Sequence, residues 1–128
     1  MKYLLDTHTL IWLDSEPEKL SSKAIELCAD RTNRLLLSIA NVWEMQIKIQ
    51  LGKLTLPDRL ANIIATQQAT NGIQLLPIEL PHIFELATLP NYHKDPFDRL
   101  LIAQARVEKA VLITSDQQFA RYPVSVVW

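Results

Sequence analysis

The chain has 128 residues, of which 48% are hydrophobic and 21% are charged. A chain of this size can bury one sizeable core and is too short for two ordinary domains, so we expect a single domain over residues 1–128. The formal net charge of −1 excludes the strongly basic character of many nucleic-acid-binding domains. Any nucleic-acid binding must therefore be local, and the cations that could form a positively charged rim are Lys48, Lys53, Arg59, Lys94, Arg99, Arg106 and Lys109.

The sequence favours a cytoplasmic protein. No apolar run approaches the roughly 20 residues of a membrane helix, and the start Met1–Leu5 runs directly into Asp6, unlike a secretory signal. Cys28 is the only cysteine, which excludes an internal disulfide and a zinc-thiolate cluster. Its helical setting predicts a buried thiol rather than a nucleophile.

Apolar spacing predicts strands and helices in alternation along the chain. The predicted strands are Lys2–Leu5, Arg34–Ser38, Gln74–Pro77, Val111–Thr114 and Val124–Val127. The first strand should be followed by a turn or short helix. The other predicted helices run from Ser21 or Ser22 to about Asp30, from Ile39 to about Leu51, from Pro57 or Asp58 to about Thr70, and over Pro81–Ala87, Phe97–Lys109 and Asp116–Ala120. This order predicts a three-layer α/β/α sandwich around a mostly parallel sheet.

Acidic residues occupy the places where such a sheet binds ligands. In open parallel sheets, ligands collect beyond the carboxyl ends of the strands. Asp6 and Asp116 each follow a predicted strand, Asp98 lies in the first turn of a helix, and Glu44 lies in a mostly apolar helix. We expect these four side chains to share one pocket.

Each acid also has a structural interpretation. Asp6 and Asp116 would serve as helix N-caps, a role that contributes about 1 kcal/mol each. Glu44 would form an ion pair with Lys48 one turn later, worth a few tenths of a kcal/mol. Asp98 would interact favourably with the helix dipole, and Asp95, directly before a proline, is interpreted mainly as the cap of the same helix.

Several carboxylates in one pocket predict a bound cation, because without one they would repel each other and have raised pKa values. An all-oxygen ligand set suits Mg²⁺ or Mn²⁺ better than Zn²⁺. Thr7 and Ser115 could hold a water molecule or a ligand with their hydroxyl groups. His8 and His93 could assist with protons, although an incidental histidine is the more common case.

Four motifs together resemble a known family. They are Tyr3-Leu4-Leu5-Asp6-Thr7-His8, Trp43-Glu44-Met45 with the following Leu51-Gly52-Lys53-Leu54, the block from His93 to Ala105 that contains Asp95-Pro96-Phe97-Asp98-Arg99, and Thr114-Ser115-Asp116. In this order and spacing they resemble the PIN-domain nucleases and, more narrowly, the VapC-type toxins of bacterial toxin-antitoxin pairs. The block around Pro96 is the most specific of the four.

The resemblance implies a PIN-like α/β/α fold and cleavage of RNA with Mg²⁺ or Mn²⁺. It implies that Asp6, Glu44, Asp98 and Asp116 are the metal ligands and catalytic residues. It also implies a homodimer and a small antitoxin whose tail enters the acidic pocket. Asn41 departs from the pattern, which often has serine before the Trp-Glu pair, and this affects only the fine shape of the pocket.

Two alternative functions remain to be weighed. A phosphoryl-transfer or receiver-type domain also gathers acids at strand ends, but it would require a second aspartate beside Asp6 and a lysine after a late strand, and the sequence has neither. A catalytically inactive PIN-like domain that only binds RNA or protein is the second alternative. The presence of all four acids argues against it.

Overall fold

A parallel sheet lies at the centre of the computed structural model, which describes residues 1–92 and 94–128. Its strands are β1 (Lys2–Leu5), β2 (Arg34–Ser38), β3 (Gln74–Leu76), β4 (Val111–Ile113) and β5 (Val126–Val127). They lie in the order β3-β2-β1-β4-β5, and every neighbouring pair is parallel. The predicted parallel sheet is confirmed.

Helices cover both faces of this sheet. They are α1 (Thr7–Ser15), α2 (Ser22–Ala29), α3 (Ile39–Gln50), α4 (Leu60–Asn71), α5 (Leu80–Glu85) and α6 (Pro96–Glu108), with short 3-10 turns at Pro17–Lys19, Leu86–Thr88 and Gln117–Arg121. None of the helices in the described part of the chain has the length and apolar character needed to cross a membrane.

The strands are apolar on both faces because each face packs against helices. Leu4, Leu36 and Leu112 contact the core formed with α6, whereas Leu5 and Leu37 contact the core formed with α1 and α2. Successive side chains of a strand point to opposite faces, so unbroken apolar runs are what a doubly covered sheet requires. The predicted α/β/α class is therefore confirmed.

Several observed element ends differ from the prediction. Helix α5 ends at Glu85 instead of Ala87, and β5 begins at Val126 instead of Val124. Helix α4 begins at Leu60, not at Pro57 or Asp58, because the Asp58 carboxylate accepts hydrogen bonds from the Arg59 backbone and the Asn62 side chain instead of capping at the predicted start. The turn or short helix predicted after β1 is a helix of nine residues, α1.

The strand order places one crevice at the centre of the sheet. From β1 the chain adds β2 and β3 on one side, and it then returns to add β4 and β5 on the other. Strands β1 and β4 are neighbours, but the chain leaves their carboxyl ends in opposite directions. In doubly wound folds, ligands bind in the crevice that this divergence opens. Asp6 directly follows β1, and Asp116 lies three residues beyond Ile113 at the end of β4.

Candidate metal centre

The carboxyl ends of β1 and β4 open into a cavity of about 210 Å³. The residues singled out in the sequence that line it are Asp6, Thr7, His8, Glu44, Asp95, Asp98, Ser115 and Asp116. The remaining lining residues among those described are Lys48 and Phe119. His93 lies outside the described residues, so its predicted accessory role is not located.

Asp6 is both a helix cap and a lining residue of the cavity. Its Oδ1 accepts hydrogen bonds from the backbone nitrogen and the hydroxyl of Thr9, at 2.9 and 3.1 Å. Its Oδ2 accepts a hydrogen bond from the hydroxyl of Thr114, which in turn accepts one from the Asp116 backbone. The structural and functional interpretations of Asp6 are thus compatible, and its carboxylate is held in one orientation.

Glu44 is held by residues of two helices. Its Oε1 accepts a hydrogen bond of 2.8 Å from the Thr7 hydroxyl, and its Oε2 lies 3.2 Å from Lys48 Nζ. The predicted ion pair with Lys48 therefore exists, but Glu44 is only 7% exposed and lines the cavity as well. The Thr7 oxygen also accepts a hydrogen bond of 2.7 Å from the Asn41 amide.

Asp95 caps the N-terminus of α6, the helix that carries Asp98. Its Oδ1 accepts hydrogen bonds from the backbone nitrogens of Phe97 and Asp98, at 2.9 and 3.2 Å. Pro96 at the first helical position has no amide hydrogen that needs a partner. The cap predicted from the sequence is confirmed, and it places the Asp98 side chain in the cavity one turn into the helix.

Burial raises the pKa of the Asp98 carboxyl from its ordinary 3.8 to about 7. The negative charges of Asp95, Glu44, Asp116 and Asp6 raise this pKa further, in that order of size. All four neighbours are thus close enough to act on Asp98. A cation in the cavity would reverse this effect, because it favours the ionised carboxylate.

Asp116 is the most exposed of the four acids. Its Oδ1 accepts a hydrogen bond of 2.9 Å from the Gln118 backbone, so it caps the 3-10 turn Gln117–Arg121. The neighbouring Ser115 is also exposed at the cavity. The predicted cap is confirmed, and Asp116 lines the cavity as well.

The donor set fits a hard divalent cation, because the acids that line the cavity offer only oxygen. Asn41 provides a second observation in favour of a polar occupant. The Thr7 hydroxyl donates its single hydrogen to Glu44, so it must accept from the Asn41 amide, which fixes the orientation of that amide. Asn41 Oδ1 is then buried with no hydrogen-bond partner within the described residues. Water or an ion normally satisfies such an atom.

Part of the predicted positive rim has a structural role. Arg99 donates a hydrogen bond of 2.8 Å to the Pro90 carbonyl, and Arg106 donates one of 2.8 Å to Glu85. Among the described residues of the predicted rim, Lys48 is the one that lines the cavity. A larger cavity of about 380 Å³ lies at the opposite end of β4, but it lacks the group of carboxylates.

A second group of possible metal ligands lies away from this cavity. Side-chain atoms of Glu79, His82 and Glu108 lie within 4.8 Å of one another. The ring of His82 is already engaged on both sides, because Nδ1 accepts a hydrogen bond of 3.0 Å from the Glu79 backbone and Nε2 lies 2.9 Å from Glu108. We interpret this group as a structural cap of α5.

The family model of the PIN domain matches residues 3–124 of the chain. The chain belongs to the PIN-domain family. The resemblance inferred from the four motifs is thereby confirmed at the level of the family. Among curated protein sequences, none matches this PIN domain significantly.

Solved structures share the fold of this PIN domain at low sequence identity. VapBC2 from Rickettsia felis, solved bound to a DNA fragment from the promoter, has a TM-score of 0.76 at 18% identity, over 99% of this chain and 98% of that chain. VapBC-1 from nontypeable Haemophilus influenzae has a TM-score of 0.66 at 18% identity, over 99% and 97%. FitAcB from Neisseria gonorrhoeae has a TM-score of 0.60 at 20% identity, over 98% and 96%. These similarities show a shared fold over nearly the whole length.

Proposed function

We propose that this PIN-domain protein is an endoribonuclease that hydrolyses RNA phosphodiester bonds with Mg²⁺ or Mn²⁺. The observation that carries the proposal is the convergence of Asp6, Glu44, Asp98 and Asp116 on one cavity, where burial and mutual repulsion raise the pKa of Asp98 to about 7. In this proposal these four acids are the metal ligands. The repulsion among these four carboxylates is unfavourable without a cation, which would favour their ionised forms.

A divalent cation at this site supplies neutralisation of the phosphodiester charge and activation of water. The protein's own residues then fix the geometry. Thr9 and Thr114 hold the carboxylate of Asp6, and Thr7 holds that of Glu44. The exposed hydroxyl of Ser115 is available to bind water or a phosphate oxygen at the cavity. Preorganised ligands of this kind lower the cost of reorganisation in the transition state.

We further propose that the protein is the toxin of a type II toxin-antitoxin pair, acts in the cytoplasm and forms a homodimer. Support comes from the VapC-type motifs in the sequence and from the shared fold with the VapBC and FitAcB proteins. The partner would be a small antitoxin with a basic residue that enters the acidic cavity. A gene that stands alone, with no small open reading frame beside it, would argue against the toxin role and leave the nuclease role unaffected.

The nuclease proposal predicts that the purified protein cleaves RNA in the presence of Mg²⁺ or Mn²⁺. Cleavage should stop when a chelator removes the metal. The Asp6→Asn variant is expected to lose on the order of 1000-fold in rate, because weaker metal binding removes several kcal/mol of transition-state stabilisation. The measurement is a cleavage map on total RNA with matched protein preparations.

Glu26→Gln is the matched control, because Glu26 is an exposed acid on α2 that does not line the cavity. It should cleave like the wild-type protein. If Asp6→Asn cleaves equally well, the activity belongs to a contaminant. If the wild-type protein binds RNA but cleaves none under any metal condition, the inactive PIN-like domain is the correct alternative.

A further inference from the structure

Two aromatic side chains pack against each other on α3 and α6, the helices that carry Glu44 and Asp98. The rings of Trp43 on α3 and Phe97 on α6 pack edge to face, with centroids 5.3 Å apart and an angle of 81° between their planes. Trp43 is nevertheless 59% exposed. An indole held in one orientation by a neighbouring ring, yet open to solvent, is well suited to bind a flat apolar ligand.

Each member of this pair directly precedes a proposed metal ligand. Trp43 is followed by Glu44, and Phe97 is followed by Asp98. Helices α3 and α6 pack against each other. Glu44 and Asp98 face the cavity, whereas Trp43 and Phe97 lie one residue away along the same two helices and outside the cavity lining. A ligand that extends out of the cavity across these helices can therefore reach the aromatic pair.

We propose that Trp43, supported by Phe97, stacks against a nucleobase of the RNA strand whose phosphate occupies the cavity. This inference rests on the proposed nuclease function and assigns a substrate-positioning residue to it. A nucleotide joins an anionic phosphate to a flat aromatic base, and the protein places carboxylates for a cation beside an exposed indole. Lys48, which also lines the cavity, carries a positive charge that lies 3.2 Å from the Glu44 carboxylate. An apolar protein segment would match the indole but not the charged cavity beside it.

Stacking on one aromatic side chain depends on the ring and not on apolar area alone. Trp43→Ala is therefore expected to raise the KM for single-stranded RNA by about 10-fold to 100-fold, with a much smaller change in kcat. Trp43→Phe should recover most of the loss, whereas Trp43→Leu should not. RNA locked in a duplex offers no unstacked base, so its weak binding should not respond to these substitutions.

The experiment measures both KM and kcat for RNA cleavage and the binding of oligoadenylate, with Ca²⁺ in place of Mg²⁺ in the binding assay. An oligomer of abasic sugar-phosphate units serves as the second probe, because it keeps the charge and lacks the bases. Trp43→Ala is expected to weaken binding of oligoadenylate and to leave binding of the abasic oligomer unchanged. Phe84→Ala is the control, since Phe84 is 68% exposed on α5, a helix none of whose residues lines the cavity.

Three outcomes would overturn the proposal. Trp43→Leu could bind oligoadenylate as well as Trp43→Phe, Trp43→Ala could weaken both probes equally, or Trp43→Ala could change only the oligomeric state and leave KM unaltered. The last result would assign the indole to a protein interface. In each case cleavage by the wild-type protein shows that the nuclease function stands, whereas absence of cleavage by the wild-type protein refutes that function itself.

Discussion

The Asp98→Asn variant is expected to lose on the order of 1000-fold in RNA cleavage and yet to be more stable than the wild-type protein at pH 7 without metal. Asp98 concentrates negative charge beside Asp95, Glu44, Asp116 and Asp6, and burial makes its ionised form costly. Asparagine keeps the shape of the side chain and removes the charge. Activity and stability should therefore change in opposite directions.

The sign of the pH dependence follows from the direction of the pKa shift. The pKa of Asp98 is about 7 in the folded protein against an ordinary 3.8, so the folded state holds this proton more tightly than the unfolded chain. The contribution of Asp98 to stability thus falls as the pH rises from about 4 through about 7. Below that window the carboxyl is protonated in both states, and the wild-type protein and the variant should be equally stable.

The expected gain at pH 7 is about 1 to 2 kcal/mol, because Asp98 is partly exposed and solvent screens its charge relative to a fully buried group. Urea denaturation at pH 4 and pH 7 in a chelator measures it. Added Mn²⁺ should stabilise the wild-type protein and have a smaller effect on Asp98→Asn. Asp6→Asn is the contrasting variant, because it loses the acceptor for the Thr114 hydroxyl and should be less stable. A less stable Asp98→Asn protein at pH 7 would contradict this account.

His82→Ala is expected to lower the free energy of unfolding by about 2 to 4 kcal/mol. His82 is 1% exposed, accepts a hydrogen bond from the Glu79 backbone and contacts Glu108 on α6. The substitution opens a cavity and leaves a backbone nitrogen without its partner. The measurement is urea denaturation with and without Mn²⁺.

The same variant distinguishes the two groups of possible metal ligands. If the metal binds between the strand ends, Mn²⁺ should stabilise His82→Ala as much as it stabilises the wild-type protein. If the stabilisation by Mn²⁺ disappears, the metal binds at Glu79 and Glu108 instead. Phe84→Ala, an exposed residue on the same helix, is the control for nonspecific effects on α5.

The sequence was sufficient to predict the sheet and the placement of Asp6 and Asp116 at one edge of it, because both follow local rules. Unbroken apolar runs predict strands that are buried on both faces, and the ends of parallel strands meet at one edge of a sheet. Asp6 and Asp116 could therefore be placed together without coordinates. The signal that predicts the Asp95 cap is also local, since the proline that follows Asp95 marks the start of a helix.

The residues that orient these acids could not be predicted, because their partners are far apart in the chain. Thr114 donates to Asp6 across 108 positions, and Asn41 donates to Thr7 across 34. A threonine or an asparagine near a strand end has many structural roles, and no spacing rule distinguishes them. The Asn41 position was noted only as a departure from the family motif.

The hydrogen bonds of Asp6 have a consequence for how the proposed nuclease function could be lost during evolution. Asp6 holds the start of α1 and the end of β4 in place, so its replacement weakens the fold as well as the site. The N-cap of α6 is Asp95, not Asp98. In a lineage released from selection for RNA cleavage, substitutions at Asp98 should accumulate before substitutions at Asp6. An aspartate after the first strand is accordingly a poor marker of activity in this family, and an acid in the first turn of α6 is a better one.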